Sequence, residues 1–572
     1  MAEFNSSCAE SSDEDYFPLE GSDSDCDSDS DYTLVDTDVD DFENSGSDER
    51  TAGSWNLIGD VFRDERPNPL PDFTSVFSGV NPALEVPSTP SDAFKLFFDE
   101  DVVSKLCQWT NERAEKFFAS RPQTDRKVNS LRWRPVTVDD MYTFFGLLLS
   151  MGITKLPRLF MYWSKGPMFS GPAIFCAEVM SWGRFMSILK FLRFSPVQHV
   201  RKGEPKTRIE PFLDLLRAKC QLVMRSDKHI TVDEALILYK GRLRFRQFMK
   251  SKRARFGVKV FVLCPSEPGW NGYSWNFHLY YGKDNIPMAD PGALCLSSSE
   301  KVVVYLMEHL LDEGRHVVTD NWYTSLRLSD YLQTRKTLLT GVVRDGRGPP
   351  KVIQNEKLQR HQCVFARQEN TLVVKWKDKR EVTVLTTKYE AGVVEKNKTY
   401  FGGDTVFFNK PLPVEKYTEK MGSVDLADQM LEPYDTHRKC KAWFKKLGIH
   451  FVFRCLLNSF ICLRNVAHYS EDFMNFIIAA SRELLQEHNL GAASLLTMEE
   501  MQNNPPSFSV PSDVHQFVKS EDGKRRRCRV CYPARKDTAW HCPGCPGSPA
   551  LCSMAHYRQW HNQVMQPGPS HH

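Results

Sequence analysis

Carboxylates that can bind metal ions occur in three separate segments of the chain. Asp233 and Glu234 follow one another on a predicted apolar strand, and Asp320 ends a second apolar strand just before a predicted helix. Asp425 and Asp428 stand three residues apart and therefore on one face of a predicted helix. Three carboxylates from separate segments can hold two Mg²⁺ ions roughly 3.5–4 Å apart, an arrangement that serves phosphoryl transfer.

These aspartates also have a purely structural explanation. A single Asp after a strand is more often a turn or helix-capping residue. Mg²⁺ prefers oxygen ligands, which explains why Asp rather than His or Cys would supply such a site. Residue types alone, however, do not distinguish three aspartates among 72 acidic residues.

Cysteine and histidine residues near the C-terminus have the spacing of a zinc site. Two Cys-x2-Cys pairs are followed by further candidate ligands, and the set is Cys528, Cys531, Cys542, Cys545, Cys552, His556 and His561. Thiolates in this spacing bind tetrahedral Zn²⁺, and so short a segment needs metal in order to fold.

A strongly basic segment follows the first aspartate. It contains no acid and interleaves Phe with nine cations: Lys240, Arg242, Arg244, Arg246, Lys250, Lys252, Arg253, Arg255 and Lys259. Such cations bind phosphates and release counterions, so binding should weaken steeply with salt. A second basic cluster, which includes Lys445 and Lys446, surrounds Trp443. The alternatives are a solvated hairpin face for the first cluster and an ordinary helix flank for the second.

Charge is distributed unevenly along the chain. The 74 Lys and Arg residues nearly balance the 72 Asp and Glu residues, but residues 1–50 contain 18 of the acids and a single base, Arg50. Residues 51–572 therefore carry a net charge of +19, which is typical of a protein that binds nucleic acid. The acidic N-terminus has no apolar core of a secretion signal, and no uninterrupted apolar run reaches the roughly 18 residues of a membrane helix. We therefore expect a soluble protein that binds double-stranded DNA and has no membrane part, and Lys524–Arg527 favours a nuclear location.

A folded frame must bring these groups together. Residues 1–90 are acidic and then Pro-rich, so we expect them to be disordered. Helical periodicity starts at Ser91, a good N-cap, and predicts a helical region over 91–228. Strands followed by alternating helices and strands in 229–346 favour a multidomain α/β protein with an RNase H-like core. The other predicted segments are a β-rich insertion at 347–415, the last part of the core at 416–435, a second helical part at 436–500, a linker at 501–523 and a Cys-rich domain at 524–565.

Three motifs resemble those of the piggyBac-like DNA transposases. They read TVDEA from 231, TDNWYTS from 319 and GSVDLADQM from 422, and they stand in the family's order ahead of the Cys-rich segment. The resemblance implies that Asp233, Asp320 and Asp425 form a catalytic triad that holds two Mg²⁺ ions, with Asp428 in support. It also implies that Trp443 helps to separate bases near the transposon end.

The family implies an organisation and a reaction as well. Its helical segments serve dimerisation and DNA binding, and its C-terminal domain binds two zinc ions and recognises terminal-repeat DNA. By that analogy Cys528, Cys531, Cys552 and His556 form one site, and Cys542, Cys545 and His561 begin the other. Two sites need one ligand more than these seven, so either His541 or a water completes the second site, or the segment holds one ion. The reaction is cut-and-paste transposition by a homodimer, in which the nicked end forms a hairpin and the excised element joins DNA at TTAA.

Two other functions are compatible with the same residues. A domesticated, transposase-derived DNA-binding protein without transposition activity would be expected to lack a catalytic carboxylate, and all three are present here. A metal-dependent nuclease of the same fold would cut DNA without joining it.

Overall fold

The structure is a computed structural model of the chain. It describes residues 55–59, 64, 66–75, 77–120, 133–201, 203–250, 252, 254–282, 286, 288, 290–399, 405–435, 440–503, 517–520, 524–531, 536–542, 545 and 548–564. The chain forms two compact units, Met1–Ser494 and Leu495–His572. The acidic segment 1–50 and Arg253 lie outside the described residues.

Helices precede and follow the strands of the first unit. In chain order they are α1 (Pro90–Lys95), α2 (Glu100–Ala119), α3 (Val138–Ile153), α4 (Ala177–Met180), α5 (Trp182–Phe191), α6 (Glu210–Val223), α7 (Ser298–Leu306), α8 (Leu326–Thr334), α9 (Lys351–Gln354), α10 (Leu412–Lys420), α11 (Ser423–Leu431), α12 (Trp443–Val466), α13 (Phe473–His488) and α14 (Leu490–Asn503), the last of which crosses the unit boundary. The prediction that Ser91 caps the first helix is wrong, because Thr89 is the N-cap and forms a capping box with Asp92. Ser91 is buried instead, and its backbone N–H and Oγ donate to Glu483 at 2.7 Å and Glu487 at 2.6 Å.

Most strands of the first unit belong to one mixed sheet. The strands are β1 (Asn56–Ile58), β2 (Gly79–Val80), β3 (Met224–Arg225), β4 (His229–Leu238), β5 (Gln247–Phe248), β6 (Phe256–Pro265), β7 (Asn276–Leu279), β8 (His316–Thr319), β9 (Leu338–Val342), β10 (Cys363–Gln368), β11 (Thr371–Lys377), β12 (Glu381–Thr386), β13 (Val393–Thr399) and β14 (Thr405–Pro411). The sheet order is β1-β10-β11-β12-β9-β8-β4-β6-β5, and β7 also pairs with β6. The sequence predicts strands over His229–Leu238, His316–Thr319 and Glu381–Thr386, because each is a continuous run of mostly apolar and β-branched residues. β4, β8 and β12 have these bounds.

The middle of this sheet positions the first two aspartates. β4 pairs in parallel with β8, and β8 pairs in parallel with β9. On its other side β4 pairs antiparallel with β6, which in turn pairs antiparallel with β7. The parallel register places Val232 opposite Thr319. Asp233 and Asp320, the next residue on each chain segment, therefore lie side by side where β8 ends.

The strands of the predicted insertion extend the central sheet. β12 pairs antiparallel with β9 from Val384↔Val342 to Thr386↔Thr340, and β11 and β10 follow outward. The hairpin of β13 and β14 forms a separate two-stranded sheet. The predicted segment 347–415 therefore contributes both a continuation of the core sheet and a hairpin beside it.

The segment just before the helices is part of the fold. β1 pairs antiparallel with β10 and forms the outer strand of the sheet. Asp64 forms a buried ion pair with Arg367, and it also accepts a hydrogen bond from the Ala391 backbone N–H at 2.7 Å. The expectation of disorder through residue 90 is therefore wrong for the described residues 55–90.

α12 is the core helix of the first unit. Its length and apolar composition would suit a membrane span, but 83% of its most apolar window is buried inside the fold. Arg454 and Asn458 lie within it, and both side chains have hydrogen-bond partners in the fold. Burial against the surrounding helices and sheet accounts for the apolar composition of this helix.

The second unit is small and is built around its cysteines. β15 (Val518–Lys519) pairs with β18 (Trp540–His541), β16 (Arg526–Arg527) pairs with β17 (Asp537–Thr538), and α15 (Met554–Val564) follows. Cys542, Cys545 and Leu551 are buried together, with Phe517 and Trp560 packed against them. So few apolar residues form a very small core, which is typical of domains that depend on bound metal.

Candidate functional site

Three carboxylates meet at the edge of the sheet where β8 ends. Asp233 and Glu234 lie on β4, and Asp320 follows the last residue of β8. One carboxylate oxygen from each of the three lies within 4.8 Å of the other two. The structure thus brings together Asp233 and Asp320, two members of the predicted triad, and adds Glu234, which the predicted triad did not include.

The negative charges of these three acids repel one another. Burial, together with the charges of Glu234 and Asp320, raises the pKa of Asp233 well above its ordinary value. Burial and the charge of Glu234 also raise the pKa of Asp320 to about 6. Both shifts have the same cause, since carboxylates that crowd together out of water disfavour each other's charged form. A cluster of hard oxygen ligands whose negative charges crowd together fits a divalent cation such as Mg²⁺.

The segment after β8 fixes the orientation of Asp320. The Trp322 backbone N–H donates to Asp320 Oδ1 at 2.8 Å, and Thr324 Oγ1 donates to the Asp320 backbone oxygen at 2.7 Å. Tyr323 is fully buried, and its hydroxyl donates to Glu234 Oε2 at 3.1 Å. Gly341 permits this packing, because a Cβ atom there would lie 2.1 Å from Thr324 Oγ1. The DNWYTS motif is therefore a turn that holds two of the three carboxylates.

Asp425 lies near this cluster but outside it. It occupies the first turn of α11, and its side chain is 54% exposed. Lys252 connects it to β4, since Lys252 Nζ donates to Asp425 Oδ1 at 3.1 Å and to the Glu234 backbone oxygen at 3.0 Å. Burial lowers the pKa of Lys252, but the carboxylates of Asp233 and Asp425 outweigh it and raise that pKa.

Asp428 is engaged in a structural ion pair. Its Oδ1 accepts a hydrogen bond from Arg454 Nη2 at 2.6 Å, and Arg454 is 1% exposed. On the preceding turn of α11, Ser423 Oγ donates to the Pro265 backbone oxygen at 2.6 Å and accepts from the Gly272 N–H at 3.0 Å. These contacts anchor α11 to the sheet and to α12, and thereby set where Asp425 stands.

The basic segment divides into exposed and buried cations. Lys240, Arg242, Arg244, Lys250 and Arg255 are exposed. Arg246 is half-buried, donates to the backbone oxygens of Lys240 and Gly241, and lies 5.3 Å from the Phe256 ring centroid. Lys259 is buried beneath the carboxylates, where its Nζ lies 4.2 Å from the Trp322 ring centroid. Lys252 and Lys259 are thus residues of the acidic site, whereas the five exposed cations lie at the surface.

The second basic cluster is only partly at the surface. Trp443 begins α12, is half-buried, and packs edge-on against Phe245 at 5.2 Å between ring centroids. Lys445 is buried, and its Nζ donates to the backbone oxygens of Leu189 at 2.9 Å and Lys190 at 2.6 Å at the end of α5. Lys445 therefore has a structural role in place of the predicted DNA contact, because its ammonium group satisfies carbonyls at a helix C-terminus. Lys446 is half-buried, and burial lowers its pKa.

The second unit brings all seven predicted zinc ligands into two groups. Cys528, Cys531, Cys552 and His556 form the first group, with sulfur–nitrogen and sulfur–sulfur distances of 3.2–3.6 Å. In the second group, Cys542 and Cys545 Sγ lie 3.4 and 3.2 Å from His561 Nε2. These separations are close to the edges of a tetrahedron around an ion bound at about 2.3 Å by sulfur.

The two groups differ in completeness. The first has four ligands, and although burial opposes ionisation of Cys528, backbone N–H groups of Val530 and Cys552 lower its pKa to about 6. The second has three ligands among the described residues. His541 does not join this group, and its buried Nδ1 has no hydrogen-bond partner in the described part of the chain.

Comparison with known proteins agrees with this architecture. The family model described as Transposase IS4 matches residues 89–460. The human PiggyBac transposable element-derived protein 3 is 22% identical over 493 residues, which cover 81% of this chain and 75% of the relative. The human PiggyBac transposable element-derived protein 2 is 21% identical over 455 residues, which cover 78% of this chain and 72% of the relative.

A solved structure has the same fold. It is a piggyBac transposase in a synaptic complex with hairpin DNA, determined by cryo-EM, and it superposes with a TM-score of 0.60 at 23% identity. The match covers 83% of this chain and 97% of the solved chain. Together with the family model, which spans more than half of the sequence, these relationships show that the chain belongs to the Transposase IS4 family and, within it, to the piggyBac-like proteins.

Proposed function

We propose that this protein is a cut-and-paste DNA transposase with an RNase H-like catalytic core. The observation that carries the proposal is the cluster of Asp233, Glu234 and Asp320 oxygens within 4.8 Å of one another in a chain of this family. The sheet order β7-β6-β4-β8-β9, with the first acid on β4 and the second after β8, supports the RNase H-like assignment. Clustered carboxylates at a strand end are suited to phosphoryl transfer rather than to DNA binding alone.

The residues of the site have distinct tasks in this reaction. Asp233, Asp320 and Asp425 would hold two Mg²⁺ ions, and Glu234 adds a further oxygen ligand beside them. Bound Mg²⁺ polarises the phosphate and lowers the pKa of the attacking water or 3′-hydroxyl. The Trp322 N–H keeps Asp320 oriented toward the cluster. Asp428 acts indirectly, because its pair with Arg454 anchors the helix that carries Asp425.

DNA would bind along the exposed cations of the basic segment. Lys240, Arg242, Arg244, Lys250 and Arg255 are exposed close in sequence to Asp233. Trp443 lies against Phe245 at the edge of this segment, which supports a role beside the transposon end. These side chains can position the phosphate backbone without reading base sequence.

The second unit would bind two Zn²⁺ ions and recognise terminal-repeat DNA. Its thiol and imidazole groups fit zinc, and a solvent molecule would complete the site of Cys542, Cys545 and His561. Lys524–Arg527 would direct the protein to the nucleus. We further infer a homodimer that holds both transposon ends, forms hairpin intermediates and joins the element at TTAA.

Plasmid excision in cells tests this function. The plasmid carries the inverted repeats and TTAA flanks of the element that encodes the chain, and the protein is supplied intact, as Asp320→Asn or as Asp345→Asn. Asp345 is exposed and lies outside the carboxylate cluster, so it is a matched control. Rejoined TTAA with the intact protein and the control, and none with Asp320→Asn, is the expected result. No excision by an intact protein that is nuclear and bound to the repeats contradicts the proposal.

A domesticated DNA-binding protein is the second candidate. The human relatives are themselves transposable element-derived proteins, which favours this alternative. It predicts specific binding to terminal repeats without nicking, whereas a nuclease predicts nicks without hairpins or strand transfer. Analysis of products from end-labelled repeat DNA with Mg²⁺ separates the three activities.

A further inference from the structure

Lys252 connects the third predicted aspartate to the other carboxylates. Its Nζ donates hydrogen bonds to Asp425 Oδ1 at 3.1 Å and to the Glu234 backbone oxygen at 3.0 Å. Asp425 lies on α11 and Glu234 on β4, so the lysine joins two elements. The Lys252 side chain is 24% exposed. The ammonium group is therefore partly exposed, and it forms an ion pair with Asp425, which lies just outside the acidic cluster.

The surrounding charges explain why a cation stands here. Asp233, Glu234 and Asp320 crowd together on the sheet, and Asp425 adds a fourth carboxylate on the adjoining helix. Such groups repel one another unless cations lie among them. Lys259 is held over the Trp322 ring on the inner side, whereas Lys252 stands between the sheet and α11.

We propose that Lys252 is a positioning residue whose ammonium group holds Asp425 beside the other carboxylates in the metal-free protein and occupies a place that a divalent cation takes when it binds. This inference rests on the proposed function, because it assumes that the cluster binds such an ion. An ion that takes Asp425 as a ligand must share or displace the contact with Lys252. The lysine therefore both prepares the site and weakens its affinity for metal.

A titration with Mn²⁺ tests the competition directly. Mn²⁺ is added to zinc-loaded, full-length protein, and the free Mn²⁺ that remains is measured by electron paramagnetic resonance. The readout therefore does not depend on activity. Lys252→Met is expected to tighten Mn²⁺ binding by about tenfold, which corresponds to about 1.4 kcal/mol of removed charge repulsion. Lys252→Arg keeps the charge and should bind Mn²⁺ as the wild type does. Lys250→Met is the matched control, because Lys250 is exposed, lies two positions away, and should leave the affinity unchanged.

Hydrogen exchange of α11 tests the positioning role. Without metal, Lys252→Met should speed exchange in Ser423–Leu431, and Mn²⁺ should restore the wild-type rate. Asp425→Ala should give a similar increase, and combining it with Lys252→Met should add little further, because the contact between these two side chains is the one that joins Lys252 to α11.

Several outcomes overturn the proposal. If the folded Lys252→Met variant binds Mn²⁺ with unchanged or weaker affinity, the proposal is wrong. It is also wrong if Lys250→Met tightens Mn²⁺ binding as much as Lys252→Met does, because the effect would then come from the overall positive charge of the basic segment. If Lys252→Met does not fold, Lys252→Gln, which removes the charge but keeps a hydrogen-bond donor, is titrated in its place. Wild-type protein that binds no Mn²⁺ overturns the proposed metal site as well. If Asp320→Asn abolishes Mn²⁺ binding but Lys252→Met leaves it unchanged, the metal site stands and only the role of Lys252 is overturned.

Discussion

The buried ion pair between Asp428 and Arg454 leads to a quantitative prediction. Arg454 is 1% exposed, its Nη1 donates to Ser274 Oγ at 2.9 Å, and its Nε has no hydrogen-bond partner among the described residues. Asp428→Ala would therefore leave a buried guanidinium without its counter-charge, which costs about 3–5 kcal/mol in protein interiors. Because the Asp428 side chain is 30% exposed, water screens part of this loss, and we expect about 3 kcal/mol.

The partner substitution should cost less. Arg454→Met leaves a carboxylate that water can reach, so we expect a loss of about 1–2 kcal/mol. The double variant contains no unpaired buried charge and should be more stable than Asp428→Ala by about 1 kcal/mol or more. This non-additivity distinguishes an ion pair from two independent packing losses.

Urea unfolding of the full-length protein, followed by tryptophan fluorescence and by circular dichroism, measures these differences. Asp425→Ala on the same helix is the control, because its side chain is 54% exposed and its pair with Lys252 should contribute less than about 1 kcal/mol. The reasoning is refuted if Asp428→Ala costs less than about 1 kcal/mol, or if the double variant loses the sum of the two single losses.

Three further predictions concern metal and DNA binding. Burial raises the pKa of Asp320 to about 6, so the proton that stabilises the metal-free fold is bound at low pH and is lost as the pH rises through that value. Mg²⁺ competes with this proton and should therefore raise the melting temperature, measured by scanning fluorimetry, more at pH 7.5 than at pH 5.5. Lys445→Met should lower the free energy of unfolding by about 1–3 kcal/mol and leave the salt dependence of DNA affinity unchanged, whereas Arg244→Met should reduce the slope of log affinity against log salt by about one. Atomic absorption should find two zinc ions per chain and one in Cys542→Ser, and a strong chelator should unfold the second unit, as hydrogen exchange would report.

Local sequence signals were sufficient for the strands that carry the site. The apolar runs His229–Leu238 and His316–Thr319 predicted both strands with the bounds that the structure has. Parallel pairing then brings Asp233 and Asp320 side by side at the end of β8, because they directly follow the paired residues Val232 and Thr319. The grouping of the cysteines and histidines in the second unit was also predictable, since the spacing of the Cys-x2-Cys pairs is itself a chelating geometry.

Contacts between distant segments had no comparable signal. Glu234 follows Asp233 in the first motif, but neighbouring strand residues point to opposite faces, and nothing local showed that both carboxylates would lie near Asp320. Lys252 and Lys445 belong to basic runs that suit a DNA surface, and their carboxylate and carbonyl partners lie far away in sequence. Nothing local in 347–415 revealed that β12 would pair with β9, because strand pairing depends on tertiary packing rather than on composition.

The outer strand Asn56–Ile58 and the ion pair of Asp64 with Arg367 bear on how the protein can be shortened or fused. A version that starts at residue 91 would expose the edge of β10 and leave Arg367 without its carboxylate, and an exposed strand edge promotes aggregation. A version that starts at residue 55 removes the acidic segment and retains both contacts. The boundary at which another protein can be joined to the folded unit therefore lies before β1, some way ahead of the first helix.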